Sequence, residues 1–190
     1  KSTTVIGHNS YADNVGGYYD PAQTVFNGAV VIGSDSRTEG YDTTTVGSGS
    51  NNNGIRNTLL GAGSQTRGLD NTLVGASAST APGGDIRQTV MGAGAASTGH
   101  DTTLVGYGVS GVGGASVFGS GAKGLAFDCG AFGKDSVCDE GDEVSFGSDT
   151  IKRRLSNLAN GYYDSDAVTV GQVRPFAQAL GGGADVLSNG

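Results

Sequence analysis

Residues 44–75 read TTVGSGSNNNGIRNTLLGAGSQTRGLDNTLVG. A short apolar run ends in glycine three times there, at Gly47, Gly61 and Gly75, with 14 residues from each to the next. Extending the register both ways finds the same ending in TVIG, VVIG, TVMG, TLVG, SVFG, GAFG and VSFG. The full set of marker glycines is Gly7, Gly33, Gly47, Gly61, Gly75, Gly92, Gly106, Gly119, Gly133 and Gly147. Their spacings are 26, 14, 14, 14, 17, 14, 13, 14 and 14. The unit of 17 carries Pro82-Gly83-Gly84, which reads as a loop insertion. The unit of 26 carries an aromatic stretch, NVGGYYDPAQTVFNG.

Several columns hold this register. The residue before the marker is Ile6, Ile32, Val46, Leu60, Val74, Met91, Val105, Phe118, Phe132 or Phe146, always large and apolar. The residue two before is apolar except at Thr45 and Ser145, and includes Leu59, Leu73 and Leu104. Three before, threonine recurs at Thr4, Thr44, Thr58, Thr72, Thr89 and Thr103. Three after, small residues dominate, as in Ser36, Ser50, Ser64, Ala78 and Ala95. A 14-residue unit is too short for two helices and a turn. It suits two short strands and two tight turns, in keeping with the β-branched residues and glycines. Stacked units of this kind make an all-β solenoid, each coil pairing with the next at about 4.8 Å.

Neighbouring side chains on a strand point to opposite faces. Both residues before the marker are apolar, so the marker strand is expected to be buried on both sides. One face fills the lumen of the roll, and the other needs a cover that the chain has too little sequence to supply. The simplest cover is the same surface of a symmetry-related copy. The residues one before the marker, with Leu59, Leu73 and Leu104, form the expected core of roll and oligomer. A lysine at Leu73 is expected to meet symmetry copies of itself. The threonine column falls on the same face as the residues one before the marker and is expected to be covered with them.

Composition excludes several classes. Glycine is 36 of 190 residues, far above the usual share of about 7%, yet without the three-residue period of collagen. The net charge of −7 argues against a nucleic-acid surface. No apolar run approaches the roughly 18 residues of a membrane span, so direct membrane contact is not expected. Two GxGxxG matches, at Gly106-Gly108-Gly111 and Gly119-Gly121-Gly124, precede no helical pattern and read as turn glycines. His8 and His100 lie far apart in the repeat and have no metal-ligand partners. No GxSxG elbow is present. The sequence points to no enzyme, cofactor or metal. The run CDEGDE at 138–143 is acidic, but its spacing is not that of a calcium loop; it is expected to face solvent or the basic Lys152–Arg154 cluster. Tyr11, Tyr18, Tyr19 and Phe26 form either a ligand-contact surface or a cap on the solenoid's open edge. Cys129 and Cys138, nine apart, are about two-thirds of a coil from each other. They form an intrachain disulfide across the roll or remain two buried thiols.

After Gly147 the repeat stops. Val170, Val173, Ala177 and Leu180 form a short heptad seam, and Pro175 is expected to begin a helix as its first residue.

The chain as a whole resembles the trimeric autotransporter adhesins. The repeats, with an apolar-glycine ending and a small residue three later, are similar to their head. VSFGSDTIKRRLSNLANGYYDSDAVTVGQV resembles their neck, and ALGGGA a connector that follows it. The insertion before Gly33, the two cysteines and Pro175 depart from that pattern. The resemblance implies a left-handed parallel β-roll, three rolls around one axis, and a neck leading to a coiled-coil stalk. The corresponding domains are 1–147 for the head, 148–173 for the neck and 174–190 for the start of the stalk. The neck residues are Ile151, Arg153, Arg154, Leu155, Asn157, Leu158, Gly161, Asp166 and Val168. The resemblance also implies a homotrimer on a bacterial surface, held in the outer membrane by a C-terminal anchor outside this sequence, that attaches to host extracellular matrix or host cells. The alternative is a rigid spacer displaying another binding domain.

Overall fold

The computed structural model describes residues 3–13, 28–81 and 86–180. Tyr18, Tyr19, Phe26, the Pro82-Gly83-Gly84 loop and the last ten residues lie outside them. The chain divides into two compact units, Lys1–Lys152 and Arg153–Gly190.

In the first unit each coil gives one strand to each of two parallel sheets. Among the described residues, ten marker strands, from Thr4–Ile6 to Val144–Ser145, make one sheet; nine second strands, from Tyr11–Asp13 to Val137–Cys138, make the other. Pairing is in register from coil to coil: Thr44 to Thr58 to Thr72, and Val46 to Leu60 to Val74. The columns of the sequence are therefore columns in space, and the fold is an all-β parallel solenoid.

The turns explain the glycines. Gly33 has φ +140°, and a Cβ there would lie 2.5 Å from the carbonyl oxygen of Gly47 in the next coil. No side chain fits so close a backbone approach. Further positive-φ positions recur at the second and the ninth after the marker and, as Gly40, Gly54, Gly68 and Gly99, at the seventh. Asp35 (φ 55°) and Gly63 (φ 66°) occupy the second; Asp42, Arg56 and Asp70 (φ 56°, 54° and 59°) occupy the ninth. Glycine, aspartate and asparagine tolerate this region best, so arginine at Arg56 and Arg87 calls for a local reason.

The structure divides the expected core in two. Val31, Leu59, Leu73, Val90, Leu104 and Val117, all two before their markers, are fully buried in the lumen. The residues one before the markers point outward. Burial on both faces thus does not occur within one chain, and the threonine column also stands on the outward face. A lysine at Leu73 would enter its own lumen rather than meet symmetry copies, because alternation sends Leu73 inward and Val74 outward.

The lumen changes character along its length. At the N-terminal end it is polar. Asn57 Nδ2 donates to Asn52 Oδ1 (3.2 Å) and to the Gly68 carbonyl (3.1 Å). The backbone N–H of Asn71 donates to Asn57 Oδ1 (3.0 Å), and that of Gln88 to Asn71 Oδ1 (3.1 Å). Buried amides thus bridge successive coils at one bend, as buried polar groups require. Ser50 Oγ donates to the Gly61 carbonyl (2.7 Å) and Ser64 Oγ to that of Gly75 (3.2 Å), which accounts for serine three after the marker. Toward the C-terminal end, Val109, Ala115, Val117, Ala122, Ala131 and a Cys129–Cys138 disulfide (S–S 2.03 Å) replace this network.

In the second unit, Val170–Ala179 is one helix with Pro175 inside it. The expected restart at Pro175 does not occur, because a stronger start signal lies upstream. Thr169 is the N-cap, and with Gln172 it forms a reciprocal capping box that satisfies two of the helix's orphan donors.

Candidate interaction surfaces

The marker strands build an outward apolar ridge. Ile6, Ile32, Leu60, Met91, Phe118 and Phe146 are between 37% and 57% exposed, and Val46, Val74, Val105 and Phe132 are half-buried. In-register pairing sets one such side chain on each coil. At the C-terminal end the ridge becomes a stack of rings: Phe118 and Phe132 are 5.4 Å apart and 7° from parallel, and Phe132 and Phe146 are 5.8 Å apart. An outward apolar stripe of this length is the kind of surface at which interactions with other molecules occur.

A second column runs along the bend before each marker strand. Its rungs are hydrogen bonds from the left-handed residue of one coil to the carbonyl before the left-handed residue in the coil above. Arg56 donates to Tyr41, Asp70 to Ile55, Arg87 to Leu69, Asp101 to Ile86, Gly114 to His100 and Asp128 to Gly113. The left-handed column therefore reads Asp42, Arg56, Asp70, Arg87, Asp101, Gly114, Asp128. Arg56 holds Asp70 through two bonds (2.6 and 2.7 Å), and Arg87 holds Asp101 through two (2.5 and 2.8 Å). Hydrogen bonds from Arg56 hold the Asp70 carboxyl below the usual carboxylate range, with the charges of Arg56 and Arg87 adding to the effect. Arg87 does the same for Asp101. The bidentate pairing with the next coil's aspartate offsets part of the cost of a left-handed arginine.

Of the predicted aromatic surface, Tyr11 is described. It is exposed, and the Arg37 guanidinium lies over its ring, 5.4 Å from the centroid. Arg37 also pairs with Glu39. His100 is exposed and accepts from the Ile86 N–H through Nδ1 (3.1 Å). In the acidic loop, Glu143 Oε2 accepts from the backbone N–H groups of Asp139 (3.1 Å) and Glu140 (3.3 Å), so this carboxylate closes its own turn. No cluster of metal-ligating side chains occurs among the described residues.

The residues expected to form a neck lie in different settings. Ile151 is half-buried, and its carbonyl accepts from the Ser148 N–H (2.9 Å). Arg153, Arg154, Leu155, Leu158 and Val168 are exposed. Asn157 is left-handed, with φ 61°. Asp166 Oδ2 accepts from the N–H groups of Tyr162 (2.8 Å) and Tyr163 (2.9 Å), which hold its carboxyl below the usual range. Gly161 is tied to the helix: its N–H donates to Gln172 Oε1 (3.0 Å) and its carbonyl accepts from Gln172 Nε2 (2.9 Å). Thr169 Oγ1 donates to Asn160 Oδ1 (2.9 Å). Sequence reasoning missed Gln172 and Thr169, although T-x-x-Q before a helical run is a legible capping signal. It also missed the lumen amides, whose signal was the recurrence of Asn57, Asn71 and Gln88 four before the marker.

No family model and no curated protein matches this chain. Among solved structures it is similar to the collagen-binding domain of the Yersinia adhesin YadA, with 23% sequence identity and a TM-score of 0.66. The match covers 88% of this chain and 97% of that one, so the two share their fold over nearly their whole length.

Proposed function

We propose that this chain is the head and neck of a trimeric adhesin displayed on a bacterial surface, where it attaches to host extracellular matrix or host cells. Residues 1–147 are the head, 148–173 the neck and 174–190 the start of a stalk. The observation that carries this reading is the outward ridge from Ile6 to Phe146, an apolar surface on every coil of a fold shared with a collagen-binding adhesin domain. Three copies packing their ridges around one axis bury this stripe and leave the second sheet, with its polar Arg37, Asn51, Gln65 and Lys123 column, facing outward. Adhesion then belongs to that outer sheet and the bends beside it.

Two measurements test the reading. Light scattering is expected to give three times the chain mass at micromolar concentration; a monomer there overturns the assembly. Solid-phase binding to collagens, fibronectin, laminin and intact cells is expected to show saturable attachment to at least one. A trimer that binds none of them is a spacer rather than an adhesin.

A further inference from the structure

From Asp42 to Asp101 the left-handed column alternates acid and base, and beyond Asp101 it does not. It runs Asp42, Arg56, Asp70, Arg87, Asp101, then Gly114, then Asp128. Where the alternation calls for a third arginine there is no side chain. This is the coil one residue short, between Gly106 and Gly119. Its bend is Gly113-Gly114, so the neighbouring column, Ile86, His100, Gly113, Phe127, also loses a side chain at that rung. Two adjacent columns are empty in the same coil. The flanking coils are two spacings of about 4.8 Å apart, and the rung between them is a notch floored by backbone alone, into which Phe127 and Asp128 of the next coil lean.

Its surroundings are specific. His100 and Asp101 form one wall, with Asp101 engaged by Arg87. Phe127 and Asp128 form the other. The Phe127 ring leans over the glycine floor, with Cε1 3.1 Å from where a Gly113 Cβ would stand, and yet is 70% exposed. The Asp128 carboxylate leans over Gly114, in the space a Cβ there would need. Asp128 has no ion-pair partner among the described residues, and Asp142, in the next coil of the same column, brings a second negative charge rather than an arginine.

We propose that this notch takes an arginine side chain from an extended polypeptide partner, which supplies the missing cation of the ladder. The guanidinium stacks on the exposed face of Phe127 and pairs with Asp128, with Asp101 beyond it. Phe127 accounts for a flat cation, since rings attract guanidinium faces, and Asp128 for a bidentate one. The proposal rests on the adhesin reading only in needing this bend to stay open in the assembly.

The test uses the full chain and the pentapeptide acetyl-Ala-Ala-Arg-Ala-Ala-amide, followed by amide chemical shifts. Saturable shifts centred on Gly113, Gly114, Phe127 and Asp128 are expected, with millimolar affinity. The same peptide with citrulline, which keeps the shape and lacks the charge, is expected to bind at least about fivefold more weakly. Asp128→Asn and Phe127→Ala are each expected to weaken arginine binding by a similar factor. Gly114→Arg, at a left-handed position like those of Arg56 and Arg87, must push the Asp128 carboxylate aside; pairing with it there is expected to complete the ladder internally and abolish binding. Shifts centred elsewhere, equal binding of citrulline, or binding indifferent to Gly114→Arg overturns the proposal. So does dissociation of the oligomer by Asp128→Asn, which would make the notch a subunit contact. The two readings fail separately: a head that attaches to no matrix protein yet takes the peptide here loses the adhesin function and keeps the notch.

Discussion

Leu73 and Val74 are neighbours of similar chemistry with opposite fates. Leu73 is fully buried in the lumen, while Val74 stands on the ridge. Truncation in the lumen removes packed atoms and leaves a cavity, so Leu73→Ala is expected to cost about 2–5 kcal/mol of unfolding free energy. Leu73→Lys costs more, because the charge has no partner there. Leu60→Lys, on the ridge, is expected to leave the fold of one chain intact and to act on the proposed assembly. Denaturation midpoints for Leu73→Ala and sedimentation for Leu60→Lys separate the two effects; a lumen variant as stable as wild type contradicts the packing described. The sequence made both columns legible as apolar and could not assign them. Alternation fixes which residues share a face, and nothing in one chain's sequence marks which apolar face is enclosed. The polar lumen was hidden for a related reason: buried asparagines look like surface turn residues until their partners, such as Gly68 and Asn52, are brought beside them.

The helix Val170–Ala179 and the loop before it stand on a few hydrogen bonds. Thr169→Ala removes the cap and is expected to lower helix content, at a cost of about 1 kcal/mol. Pro175→Ala restores a donor inside the helix and is expected to raise it; circular dichroism reads both, and unchanged helicity in both contradicts the capping account. The proline misled sequence reasoning because it weighed a local breaker against nothing, whereas the capping box three to six residues earlier had already set the start. Asp166 gives this unit a pH dependence. Its folded pKa is depressed by the Tyr163 and Tyr162 N–H groups, so its contribution is present above the unfolded value of about 3.9 and is lost as pH falls through the lower folded value. Asp166→Asn is expected to flatten that acid limb when the Tyr162 and Tyr163 amide signals are followed below pH 4. An acid limb that survives the substitution means other carboxylates produce it.

The period of 14 disclosed the solenoid, and the one coil of 13 disclosed its notch only once register had placed Gly113 between His100 and Phe127. At this scale stability is a sum of coil-on-coil contacts, which leaves the ends of the stack weakest. The disulfide sits near one such end. Cys129 and Cys138 are both buried and join the inner walls of a single coil, Cα to Cα 6.0 Å, where the amide ladder has given way to small apolar residues. Closing so short a loop constrains the unfolded chain and is expected to stabilise by about 2–4 kcal/mol. The effect should be local, because each coil touches only its neighbours. The double variant Cys129→Ala with Cys138→Ala is expected to speed amide exchange in Gly130–Phe132 and Val144–Ser145 while leaving Thr44–Val46, many coils away, unchanged. The ridge changes that expectation in the proposed trimer. Phe118, Phe132 and Phe146 stack on the outward face of these same coils, and rings from three chains meeting there would hold the end that the disulfide holds from within. Loss of the disulfide should therefore lower the midpoint of a dissociated Leu60→Lys background more than that of the trimer. Equal losses in the two backgrounds would show that the phenylalanine stack does not brace the last coils.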